Sequence, residues 1–121
     1  MRISAVICLL AAALAPLPAL AGEADVVDAR ARLSGGTWTF DVTVRHADTG
    51  WEHYADAWRV VGPDGTVYGA RTLVHPHVEE QPFTRSLSGV VIPEAVTTVL
   101  IEAHDSVHGW GGRDFTLALP R

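Results

Sequence analysis

The clearest signal in the chain is an alternation. From Thr37 to Arg45, Trp38, Phe40, Val42 and Val44 interleave with Thr37, Thr39, Asp41, Thr43 and Arg45. A side-chain period of two puts the first set on one face of a strand and the second set on the other, the pattern of a strand with one face buried. Before it, Val27, Ala29, Ala31 and Leu33 alternate with charged or small residues, and Ser34-Gly35-Gly36 supplies a turn. After it, Trp58-Arg59-Val60-Val61 reads as a third strand that stops at Gly62-Pro63-Asp64-Gly65, with Val67 to Leu73 as its hairpin partner. Leu87 to Ile92, closed by Pro93, gives a fifth strand; Val99, Ile101 and Ala103 give a sixth; Phe115, Leu117 and Leu119 give a seventh. No stretch after residue 22 sustains a helical period. Seven short strands with turn signals between them, in about 100 residues, predict an all-β, seven-stranded sandwich of immunoglobulin/fibronectin III type, with a small β-barrel as the alternative. Trp58 is expected in its core.

The first 21 residues break the pattern. Arg2 is followed by an almost unbroken apolar run from Ile3 to Leu14, then by Pro16, Pro18 and the small-residue sequence Ala19-Leu20-Ala21. These are the three parts of a secretory signal. The expected organisation is a cleavable signal peptide at 1–21 and a single domain at 22–121, periplasmic or secreted. The apolar run is shorter than a bilayer span and no second one follows, so no membrane insertion is expected after cleavage.

Composition narrows the chemistry. The only cysteine is Cys8, inside the leader, too early and among the wrong neighbours for a lipid attachment site. The domain therefore has no thiol for a disulfide, a Cys-ligated zinc, an iron–sulfur cluster or a blue-copper centre. With Arg2 in the leader, eight arginines face fourteen acids, a formal charge of −6. That disfavours nucleic acid or an anionic membrane as partner, and leaves an unknown protein or small ligand.

The distinctive residues fall in the connections. The links after the first, third and fifth strands are tight and bland. Those after the second, fourth and sixth, at 46–56, 75–83 and 104–112, hold all six histidines: His46, His53, His75, His77, His104 and His108. They also carry Asp48, Trp51, Glu52, Tyr54, Asp56, Glu79, Glu80, Asp105 and Trp110. In a sandwich whose strands reverse at each step, every second connection lies at the same end, so these links should share one pole.

Neutral imidazole is a common ligand for zinc(II) and suits copper(II). In His75-Pro76-His77 the proline favours an extended backbone, so the rings at i and i+2 should point to the same side. Asp105 beside His104 and His108, like Asp48 beside His46, could orient a ring from behind. The sole methionine, Met1, leaves with the leader, so soft ligands for copper(I) are missing. A brace built from an N-terminal histidine is excluded, because cleavage leaves Gly22 or Glu23 in front. The first expectation is thus a module binding copper(II) or zinc(II) through the six histidines, with Asp48, Asp105, Trp51, Tyr54 and Trp110 around them.

Structural uses compete with that reading. His46 continues the inward register of Trp38, Phe40, Val42 and Val44 and would cap the core. Trp51 is expected to pack under the loops, Arg85 to form a surface salt bridge, and Gly109, Gly111 and Gly112 to make the last hairpin turn. Aspartate spacing for a calcium loop is absent. Ser106 with Asp105 and His108 has the ingredients of a hydrolytic triad but no nucleophile elbow, so no enzyme is expected. The second expectation is an immunoglobulin-like module that recognises a protein or glycan through the same loops, without metal.

The stretches His46-to-Asp56, Glu80-Gln81-Pro82-Phe83-Thr84-Arg85-Ser86 and His104-to-Gly112 resemble signature segments of a group of small secreted bacterial proteins with no assigned activity. They cover about a quarter of the domain. The resemblance implies export and no particular chemistry.

Overall fold

The computed structural model describes residues 22–121; the expected signal peptide lies outside the described residues. The chain forms β1 (Asp25–Ser34), β2 (Thr37–Arg45), β3 (Ala55–Val61), β4 (Val67–Thr72), β5 (Phe83–Val90), β6 (Thr98–Asp105) and β7 (Gly109–Ala118). They build two antiparallel sheets, ordered β1-β2-β5 and β4-β3-β6-β7. This is an open sandwich with the strand order of a fibronectin III domain, not a closed barrel. Among the described residues no helix is long and apolar enough to cross a membrane.

Alternation does what the sequence implies. Trp38, Phe40, Val42 and Val44 of β2 face Trp58 and Val60 of β3 and Val99, Ile101 and Ala103 of β6 across one core. Removing this surface from water is the main stabilising term for a domain without cross-links.

Four strands depart from the sequence reading: β1, β5, which runs Phe83–Val90 rather than Leu87 to Ile92, β6 and β7. In β1 a bulge between Val26 and Asp28 shifts the pleat, so Val26 and Ala29 point inward while Leu33 is 46% exposed. At the other end of the chain, β6 runs on to Asp105 and β7 begins at Gly109 rather than near Phe115. The third long connection is therefore a three-residue turn, Ser106 to His108. Gly109 (φ 79°) sits at that turn, but Gly111 and Gly112 lie inside β7.

Their role is to let the N-terminal segment pass. A Cβ on Gly112 would sit 2.1 Å from the Ala24 carbonyl oxygen, and one on Gly111 would sit 2.6 Å from the Glu23 carboxyl carbon. The Gly112 N–H donates to Glu23 Oε2 (2.6 Å) and the Arg113 N–H to Asp25 Oδ1 (2.7 Å).

Antiparallel pairing throughout brings the ends of β2, β4 and β6 to one pole, together with the starts of β3, β5 and β7. The segment entering β1 lies there too. Gly112 (φ 72°) has a left-handed backbone as well as no room for a side chain. Gly112→Ala should therefore destabilise the domain by about 2 kcal/mol or more; urea unfolding of the two proteins measures it.

Candidate metal centre

Two inward registers run past the apolar core at this pole. In β2 the sequence Trp38, Phe40, Val42, Val44 continues one step beyond the strand to His46, which is 3% exposed. In β6 the sequence Val99, Ile101, Ala103 continues to Asp105, which is 0% exposed. The strands belong to opposite sheets, so His46 and Asp105 close the core from two sides. His53 comes between them on the β2–β3 loop, which folds back on itself through a bridge between Gly50 and His53. The His53 ring lies edge-on to His46 at a centroid separation of 4.7 Å, and its Nε2 is 3.0 Å from Asp105 Oδ1. One ligand atom from each of His46, His53 and Asp105 lies within 4.8 Å of the others. This group has the donors and the spacing to hold a metal ion.

Two buried carboxylates organise the surroundings in different ways. Asp48 is fully engaged. Its Oδ1 accepts from His46 Nδ1 (2.5 Å) and the Ala55 N–H (2.9 Å), and its Oδ2 accepts from the His77 N–H (2.7 Å). Asp105 is lopsided. Its Oδ1 accepts from the N–H groups of Val107 (2.9 Å) and His108 (2.8 Å), from His53 Nε2 and from His108 Nδ1 (3.1 Å). Its Oδ2 is buried and has no hydrogen-bond partner among the described residues. Burial pushes the Asp105 carboxyl upward, but the His108 and Val107 N–H groups and the His108 ring more than offset it, and the net shift is down. The result is an ionised carboxylate with one crowded oxygen and one bare one. A buried carboxylate oxygen without a donor is uncommon in folded proteins.

The remaining residues divide by the face they occupy. His108 shares Asp105 with His53, at a ring separation of 5.0 Å, and its side chain is 38% exposed at the mouth of the group. Tyr54 and Ser106 tie this turn to the β2–β3 loop: the Tyr54 N–H donates to Ser106 Oγ (3.1 Å) and the Ser106 N–H to the Tyr54 carbonyl (2.9 Å).

His77 lies beside the group, with its buried Nδ1 lacking a hydrogen-bond partner among the described residues. It stacks on Phe83 at 3.9 Å, and its Nε2 accepts from Arg85 Nη2 at 2.9 Å. Arg85 also pairs with Glu80 (3.1 Å). The His75 ring does lie beside His77, at 4.5 Å, but it is exposed and its Nδ1 faces the Pro76 carbonyl. The His75–His77 pair is therefore not part of the three-residue group.

His104 and Trp110 stand at the same pole but outside the group, on the outer face of the four-stranded sheet. Because β6 continues to Asp105, its alternation turns His104 outward. There its Nδ1 meets Asp56 and its ring meets the edge of Trp110, while Arg59 stacks on the Trp110 face at 3.8 Å. Trp51 does not pack under the loops; it is 67% exposed and touches Tyr54 edge-on.

Two contributors had no sequence signal. One is the Gly22 carbonyl oxygen, 2.8 Å from His46 Nε2. The other is Gln81, which accepts from the His46 N–H (3.0 Å) and donates to the His77 carbonyl (3.0 Å), joining two loops through one side chain.

No protein-family model and no solved structure matches the chain. It is 42% identical over 92 residues to a protein of Halomicrobium mukohataei whose name reads "Putative lipoprotein". The alignment covers 75% of this chain and 45% of that protein, so the chain spans about half the length of the relative it matches.

Burial, reinforced by Arg85 and His75, holds the His77 ring below the usual histidine range. Its unfolded value is about 6.5, so the unfolded chain binds the proton first and stability falls as pH drops below that value. His77→Gln, which can still accept from Arg85, should flatten this part of the profile; urea unfolding between pH 5 and pH 8 measures it.

Proposed function

We propose that this protein is an exported metal-binding module that takes copper(II) or zinc(II) through His46, His53 and Asp105, with His108 at the entrance. Its work is binding, delivery or sensing rather than catalysis. The observation that carries the reading is Asp105: a buried carboxylate with one oxygen lacking a hydrogen-bond partner among the described residues, and with a ligand atom within 4.8 Å of one from each of two imidazoles. Two nitrogens and a carboxylate oxygen suit borderline divalent ions. The Asp48 carboxylate on His46 Nδ1 is the outer partner that a metal-bound imidazole ordinarily has. With no cysteine or methionine in 22–121, soft-ligand copper(I) chemistry has nothing to use. Export is supported by the leader-like residues 1–21 and is in keeping with the printed name of the relative. Periplasmic or secreted location follows from that leader.

The test is elemental analysis and melting of residues 22–121, the part that holds both sheets and the core. At free copper(II) or zinc(II) of about 100 times Kd, binding should stabilise the fold by about 2.7 kcal/mol and raise Tm by about 10 °C or more. His46→Gln, His53→Gln or Asp105→Asn should abolish the shift, and His75→Ala should leave it. No bound metal and no shift with either ion would overturn the proposal.

A second reading draws on a different observation. Trp51, Val74, Val78 and Val107 stand exposed on the connections of this same pole. Such a rim supports recognition of a protein partner, with the histidines serving as loop braces. On that reading chelators leave binding intact and Trp51→Ala weakens it at least tenfold in a pull-down titration.

A further inference from the structure

Among the described residues, the half-buried arginines are Arg59, Arg71 and Arg85. Arg59 pairs with Glu102 at 2.8 Å and Arg85 with Glu80 at 3.1 Å. Arg71 is different. Among the described residues it has no carboxylate partner, and its Nε is buried without an acceptor. A guanidinium keeps its charge at any pH at which the domain is folded. Holding that charge away from water with nothing to balance it is costly.

A second donor stands beside it. Arg71 lies directly opposite Trp58 in the β3–β4 ladder, so both side chains leave the face of the sheet that looks toward the core. Trp58 is 0% exposed, and its Nε1 also lacks an acceptor among the described residues. An indole nitrogen and a guanidinium can only donate. Two cross-strand neighbours therefore share the same deficit, and buried donors of this kind are uncommon.

The pair sits at the open side of the sandwich. β4 and β5 are edge strands of the two sheets. They meet at Gly69, where a Cβ would come 3.0 Å from Leu87 Cδ2 and 3.3 Å from Val90 Cγ2. One step of the alternation nearer the histidine pole, β4 presents Arg71 and β5 presents Arg85, which is directly opposite the buried Val42. Arg85 is turned to Glu80 and the His77 ring, so its charge is offset. Arg71 is left as the uncompensated cation of this seam.

We propose that the seam between β4 and β5 binds a small carboxylate, with the Arg71 guanidinium as its counter-charge and the Trp58 indole N–H as an added donor. The site is separate from the metal-binding reading and does not depend on it. A carboxylate is planar, carries one charge and offers two acceptor oxygens to the parallel N–H groups of a guanidinium. A dianion such as phosphate would bring a second charge that nothing at the seam balances, close to the apolar side chains of Leu87 and Val90.

The test is a nitrogen–proton correlation spectrum of isotope-labelled residues 22–121. Trp38, Trp51, Trp58 and Trp110 each give one indole N–H signal, and assignment through bonded neighbours identifies Trp58 and the Arg71 Nε–H without altering the core. Sodium formate and sodium acetate are added in turn, against sodium chloride at equal ionic strength. Both carboxylates should move the Trp58 indole and Arg71 Nε–H signals downfield to saturation and leave the other three indoles in place. Arg71→Lys keeps the charge but loses the fork, and should bind acetate at least about tenfold more weakly. Arg71→Gln should not bind it, and melting checks that both variants are folded. No movement with either carboxylate, or equal movement with chloride, would overturn the proposal and leave Arg71 a solvated charge. Undiminished acetate binding by Arg71→Gln would overturn it as well, by putting the anion elsewhere. Tighter binding of inorganic phosphate than of acetate would overturn the choice of a carboxylate.

Discussion

A carboxylate taken out of water has to be surrounded by donors, and this domain buries two of them at one end of its core. An unpaired buried charge costs several kcal/mol, a large share of the stability of a domain this size. Asp48 and Asp105 therefore dictate the shape of the loops around them. Asp48 gathers the ring of His46, the start of β3 at Ala55 and the backbone of His77, drawing three separate segments to one point. Asp105 closes the β6–β7 turn on itself and reaches across to His53. The loops at this pole are fixed by charge satisfaction more than by apolar packing, while the strands below them depend on the reverse.

The difference between the two acids is informative. Asp48 uses both oxygens and behaves as a brace. Asp105 takes every donor on one oxygen and leaves the other without a partner among the described residues. The histidines divide in the same way. His77 meets Phe83 and Arg85, and His104 meets Asp56 and Trp110 on the outer sheet face. His46 and His53 remain with Asp105 in the space where the two sheets meet.

How much of this was legible in the sequence depended on whether a strand could be followed to its end. The run from Trp38 to Val44 is long and cleanly alternating, so extending its period by one step placed His46 inside. The same step beyond Ala103 would have placed Asp105 inside and His104 outside. It was hidden because Gly109, Gly111 and Gly112 read as turn residues and so ended β6 early. Two of those glycines are strand positions kept small by Glu23 and Ala24, a neighbour 88 or so residues away that no local pattern reveals. Trp51 misled for the opposite reason: a tryptophan in a loop suggests burial by its size, but here the loop folds through its own Gly50–His53 bridge and leaves the ring outside. The gathering of three distant connections at one pole was legible, because it needed only the number of strands to be right.

The direction of the outermost strands has one more effect. β1 starts beside His46 and Asp105, whereas β7 starts there and runs away for ten residues, about 30 Å at strand spacing. The chain thus enters at the histidine end and leaves at the other. Anything joined beyond Arg121 is carried on the opposite tip and leaves the mouth beside His108 open.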